Sequence, residues 1–208
     1  MSQRAFFAAD AKTKTVEVVQ EIERQTSAEV VVALRKSSGY YRHADYLFGF
    51  AVALATLVAV VLVPQPMSAL TVPLDALVMF VLGAALCAQF PWLRRLLTCA
   101  RRRRENVRAA ALVAFQELGV SRTSGRWGVL VYLSLLERDA EVVLDVGIDE
   151  VSLGDDWKRA IAELRVAMKS LDFERVLGAM RALGPLLASV HPVRDDDVNE
   201  LPDELSAP

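Results

Sequence analysis

From Tyr46 to Leu74 the chain carries no charged residue, and after Asp75 the apolar run resumes as far as Leu93. Two segments follow from this, Leu47–Val63 and Ala76–Leu93, joined through Pro64-Gln65-Pro66. At about 1.5 Å rise per residue each reaches roughly 25–27 Å, enough for the hydrocarbon core of a bilayer. A helix in a soluble core rarely runs so far without a polar stripe, so a buried soluble hairpin is the lesser reading. The expectation is a transmembrane helical hairpin over 46–93. It splits a soluble domain into 1–45 and 94–190, with an acidic flexible tail at 191–208.

The flanks orient that hairpin. Arg35, Lys36 and Arg42 precede it, Arg94, Arg95 and Arg101-Arg102-Arg103-Arg104 follow it, and the connecting loop holds no Lys or Arg. The positive-inside rule then puts both ends in the cytoplasm. Tyr40, Tyr41, Tyr46 and Phe48 on one side and Phe90 and Trp92 on the other supply an aromatic belt at that interface. No signal peptide is expected, because some 45 residues of mixed charge come first. The net charge of −2 argues against a general nucleic-acid binder. Cys87 and Cys99 fall about 18 Å apart if one helix carries both, too far for a disulfide.

The soluble parts read as αβ before the hairpin and αββαα after it. Val16, Val19 and Ile22 place a helix in the first 27 residues, and Ala28–Leu34 is a short β-branched strand. After Trp92 a helix continues through the arginines to Leu118, with Gly119 as its C-terminal cap. Gly128–Ser134 and Glu141–Val146 are strands joined by a turn at Arg138-Asp139, hence antiparallel neighbours. The first and second strands are separated by the hairpin and a helix, which favours parallel pairing by a crossover. Trp157, Ile161, Leu164 and Met168 share one face of a helix, and Asp172 caps another carrying Phe173, Val176, Leu177, Met180 and Leu183. Gly184-Pro185 kinks or ends that helix.

Arg126 to Ile148, R-W-G-V-L-V-Y-L-S-L-L-E-R-D-A-E-V-V-L-D-V-G-I, resembles the signature of the TPM domain family, named from thylakoid, photosystem-repair and receptor-associated members. The Ala28–Leu34 strand, the Asp156-Trp157 helix and the ending H-P-V-R-D-D-D-V-N-E-L-P-D-E-L are similar as well. A hairpin after the first strand and a terminal N-E-L-P-D resemble a bacterial TPM-like subgroup. The resemblance implies a small mixed-sheet α/β/α sandwich, here on a hairpin in a bacterial inner membrane. Some plant members of that family are described as calcium-binding acid phosphatases, while many have no established reaction. Two departures stand out. Better-known members put the domain outside or in a lumen, and they carry a glycine-rich segment after the third strand, where this chain has only Gly147 and Gly154. No catalytic residue is carried over.

Asp145, Asp149, Asp155 and Asp156 gather around the end of the third strand, where carboxylates with loop carbonyls suit calcium or magnesium. The alternative is ordinary: Asp155 and Asp156 complement a helix N-terminus, and Asp145 faces solvent on an alternating strand. An aspartyl-nucleophile phosphatase needs a second aspartate two positions after the first, where Gly147 stands. Nucleophile elbow, P-loop, paired metal-spaced histidines and Cys-x-x-Cys are all missing from the sequence. His43 and His191 read as surface residues and Ser134 as a strand end. Arg94, Arg95, Arg101, Arg102, Arg103 and Arg104 are either topology signals or contacts for anionic lipid headgroups, with the acidic tail as a competitor. The leading reading is a membrane-anchored, non-enzymatic interaction module that aids assembly or quality control of membrane complexes. Its partners are the bilayer and a membrane protein; a metal-dependent acid phosphatase is the alternative.

Overall fold

A computed structural model of the chain describes residues 6–62, 68, 70–193 and 206. The Pro64-Gln65-Pro66 turn and most of the acidic tail lie outside the described residues. In chain order the elements are α1 (Ala9–Glu23), β1 (Glu29–Arg35), α2 (Arg42–Leu62), α3 (Thr71–Gln89), α4 (Pro91–Leu97), α5 (Ala100–Glu117), β2 (Gly128–Ser134), β3 (Asp139–Leu144), α6 (Glu150–Ser170), α7 (Phe173–Arg181) and α8 (Leu183–Val190). They divide into two compact units, Met1–Ser38 with Arg104–Pro208, and Gly39–Arg103.

The first unit is a mixed α/β structure around a three-stranded sheet of order β1-β2-β3. β1 runs parallel to β2, Glu29 opposite Gly128 through Arg35 opposite Ser134. β3 runs antiparallel to β2, with Val129 opposite Leu144. Both strand pairings agree with the sequence reading, for the reason given there: a long connection permits a parallel crossover, a short one a hairpin. Both faces of β1 and β2 are covered. Val30, Val32, Leu34, Val129, Val131 and Leu133 pack with residues of α1, α6, α7 and α8. Val31, Ala33, Leu130 and Tyr132 pack with Val107, Ala111, Ala114 and Phe115 of α5. Burial on both faces is why these two strands read as continuous apolar runs.

Helix boundaries follow local chemistry. The buried stripe of α1 is Ala11, Thr15, Val18, Val19 and Ile22, so Val16 lies off the core face. Asp149 caps α6 through Val151 N, and Gly154 at φ 71° breaks that helix into two segments, a backbone setting that suits glycine. Trp157, Ile161, Leu164 and Met168 are then buried together, as their spacing predicts. Asp172 caps α7 by accepting from Arg175 N. β3 spans Asp139–Leu144 rather than Glu141–Val146, and the turn before it is Leu135–Arg138.

In the second unit, α2 and α3 are long and apolar enough to cross a membrane. They approach through glycines: a Cβ on Gly49 would lie 2.6 Å from Phe80 O, and one on Gly83 would lie 3.0 Å from Gly49 Cα. With Ala53 and Cys87 buried one turn further along, each helix presents a small-residue seam to the other. The continuous helix expected beyond Trp92 is absent. Pro91 starts α4, Thr98 is extended at φ −110° and ψ 125°, and α5 begins only at Ala100. Thr98 is buried against His43 Nε2 at 3.3 Å, and its carbonyl accepts from Arg103 Nη1. Cys87 and Cys99 therefore sit on separate elements; both are free thiols, the first buried and the second exposed.

Candidate functional site: a groove along the third strand

The sheet has two edges, and the sequence treats them differently. On β1, Glu23 Oε1 accepts from Val30 N at 3.0 Å, and Ser206 pairs with the strand by donating to Val32 O and accepting from Leu34 N. Arg35 Nη1 holds Ser206 O at 2.7 Å. That edge is occupied by the chain itself. On β3, Asp145 N donates to Gly128 O at 2.9 Å, so strand alternation turns the N–H and C=O of Val142 and Leu144 away from β2. Arg165 Nε covers the neighbouring Ala140 carbonyl at 3.1 Å. Val142 and Leu144 are left facing a half-open groove of about 620 Å³.

Residues of α5 and α6 form its walls. Arg104, Arg108 and Leu112 recur every fourth residue on α5, the spacing that stacks side chains along one helix face. Trp157, Lys158, Ile161 and Arg165 line it from α6. Arg165 also pairs with Glu141 at 2.7 Å, and Lys158 with Asp155 at 2.8 Å, which raises the Lys158 pKa. Arg104 and Arg108 are exposed, and their side chains make no hydrogen bond or ion pair with another described residue. Trp157 is buried, and its indole Nε1 has no hydrogen-bond partner among the described residues.

The four aspartates proposed from sequence do not converge. Asp145 is 3% exposed, a correction to its expected solvent-facing position. Asp145 follows the end of β3 and still donates to Gly128 O, but Arg126 closes over its side chain and removes it from solvent. Its carboxylate bends back to its own strand end, accepting from Arg126 Nη2 at 3.0 Å and from Val146 N at 2.8 Å. Asp149 is consumed as a helix cap; bonds from the Ser152 hydroxyl and Val151 N hold its carboxyl below the usual range. Asp155 pairs with Lys158, which lowers its pKa, and Asp156 pairs with Arg159. Among the described residues, no group of three or more His, Cys, Asp or Glu is arranged to hold a metal ion.

The arginines likewise part company. Arg94 donates twice to Asp45. Arg103 Nη1 donates to the carbonyls of Arg95 and Thr98 at the end of α4. Arg101 and Arg102 are exposed, Arg95 is half-exposed, and Arg104 lines the β3 groove.

Two polar features escaped the sequence reading. Ser134 is fully buried; its hydroxyl donates to Glu137 and accepts from Ser38 Oγ at 2.7 Å. Ser38 Oγ is also 3.1 Å from Tyr132 Oη, and Ser38 N donates to Glu137 at 2.9 Å. Burial raises the Tyr132 pKa. These groups satisfy one another and lock the β2–β3 turn, as a buried polar cluster must. His191, expected at the surface, packs its ring 4.9 Å from that of Trp127.

No protein-family model matches the chain, and no curated protein matches it. Among solved structures it is similar to the NMR structure of the BA42 protein from the psychrophilic bacterium Bizionia argentinensis sp. nov.. The TM-score is 0.58 at 18% identity, covering 97% of this chain and 94% of that one. At that identity the likeness concerns the fold alone.

Proposed function

We propose that this chain is a membrane-tethered, non-enzymatic α/β interaction module of TPM-like sandwich architecture. In this reading α2 and α3 span a bacterial inner membrane as a hairpin and leave both ends in the cytoplasm, where the module aids assembly or quality control of membrane complexes. The observation that carries it is the bareness of the hairpin. Only 17% of the most apolar window of α2 and 11% of that of α3 are buried, whereas a soluble core helix is mostly enclosed. Phe50, Leu54, Val58, Leu77, Val81 and Leu86 face outward, an apolar surface that water does not tolerate.

The test is accessibility labelling of Ser68→Cys and Ser206→Cys variants in a Cys99→Ser background, using an impermeant maleimide on intact cells. Labelling at 68 and protection at 206 are expected; the reverse pattern overturns the orientation, and a protein recovered wholly in the soluble fraction overturns the hairpin. The interaction role is tested separately, by a phosphatase assay on the purified chain with and without calcium or magnesium. No turnover is expected. Turnover abolished by Asp145→Asn, in a variant whose circular dichroism is unchanged, would replace the module by an enzyme.

A further inference from the structure

We infer that the open edge of β3 takes an extended acidic segment of a partner protein as an added strand, its carboxylates meeting Arg104 and Arg108. The inference rests on the reading of the chain as an interaction module and names the chemical class of the partner. Unpaired strand edges are templates for another chain, and soluble proteins usually cover or charge them. Here β1 is covered by Glu23 and Ser206, and Ala140 by Arg165, yet no described residue bonds the outward backbone of Val142 and Leu144, which line a groove. Two backbone donors and two acceptors in register suffice to seat a short strand, with side-chain pockets supplying selectivity.

The groove walls specify what that strand carries. Side chains of an added strand alternate, one set toward α5 and the other toward α6. Positions two apart on one side stand about 6.7 Å from each other. Arg104 and Arg108 are offset by about 6 Å along their helix, so two acidic residues separated by one position match them. The intervening residue faces Trp157 and Ile161 and is therefore apolar. Trp157, whose buried Nε1 has no hydrogen-bond partner among the described residues, is one of the residues lining that groove. Pro192 and Ser206, the described residues that flank the chain's own acidic run, bridge to Thr26 and Ala33, beside and on β1. β1 is the opposite edge of the sheet.

Fluorescence anisotropy on the full chain in neutral detergent micelles tests this, with a labelled peptide of alternating Glu and Val. Binding about tenfold tighter than that of the matching Lys-Val peptide is expected, and about tenfold weaker in the Arg104→Ala/Arg108→Ala variant. N-methylation of alternate peptide amides removes the strand's donors without touching the protein, and is expected to abolish binding. Equal binding of the acidic and basic peptides, undiminished binding by the double variant, or full binding of the N-methylated peptide each overturns the inference. A photocrosslinker at Leu112, in the groove, is compared in native membranes with one at Phe7, outside it. Adducts at Phe7 alone sink the groove but leave the interaction module standing; adducts at neither, with no peptide binding, sink both.

Discussion

Asp45 on α2 and Arg94 on α4 form a two-point ion pair, Arg94 Nε to Oδ1 at 2.8 Å and Nη2 to Oδ2 at 2.7 Å. Asp45 is buried and Arg94 only partly exposed. An acidic residue at the start of an apolar helix is costly unless it is matched, and the fork of an arginine matches both carboxylate oxygens at once. Arg94→Ala is expected to destabilise the protein in micelles by about 1.5–3 kcal/mol, since it strands the carboxylate. An Asp45→Asn/Arg94→Gln double variant recovers part of that loss. Thermal unfolding of the three proteins checks it; an unchanged midpoint for Arg94→Ala would leave the pair without energetic weight.

The glycine seam makes a second prediction. A side chain at Gly49 meets backbone at 2.6 Å rather than a movable side-chain tip. Gly49→Val is therefore expected to force α2 from α3 and cost about 1–3 kcal/mol, whereas Leu54→Ala on the outward face costs little in micelles. Proteinase K digestion in detergent reads the difference as faster loss of the hairpin fragment. Equal digestion of both variants would remove the seam from the account of how the helices pair.

Trp157 fills the space between β3 and the helices packed on that face of the sheet. Trp157→Ala is expected to cost about 3–5 kcal/mol, the range for truncating a buried large aromatic. Denaturant titration of the purified chain measures it, and an unaltered transition would take α6 out of the core.

His191 gives the fold a pH dependence. Burial beside Trp127 lowers its pKa, partly opposed by a hydrogen bond that the ring donates to the Gly147 backbone. The folded state thus prefers the neutral ring. The contribution is fully present above the unfolded value of about 6.5 and is lost as pH falls through it toward the folded pKa. The melting temperature is expected to drop between about pH 7.5 and 5.5, and His191→Gln to flatten that slope. A slope identical in the variant would assign it to other groups.

The apolar stretch, the bounds of β2, the sense of both strand pairings, the Trp157 face and the Asp172 cap were all legible from residue types and their spacing. Periodicity, β-branching and capping chemistry act within a few residues, and connection length decides between hairpin and crossover. The break at Thr98 was not legible. Leu-Leu-Thr-Cys-Ala carries no strong breaker, and the extended backbone there is held by His43 and Arg103. Asp145 was misplaced for a similar reason. The ladder does continue to Asp145, but the left-handed turn residue Arg126, at φ 57°, brings its guanidinium onto the carboxylate from 19 positions away, which no local pattern signals.

The sequence by itself determined that this chain pairs a long apolar hairpin with a small mixed α/β unit, because hydrophobic burial and strand or helix period are written residue by residue. Only the tertiary structure decided that one sheet edge is closed by Glu23 and Ser206 while, at the other, no described residue caps Val142 or Leu144 between Arg108 and Trp157. Those groups are far apart in the chain, and nothing local requires them to meet. Packing of α5 and α6 on the two faces of the sheet is what brings them to the two sides of β3.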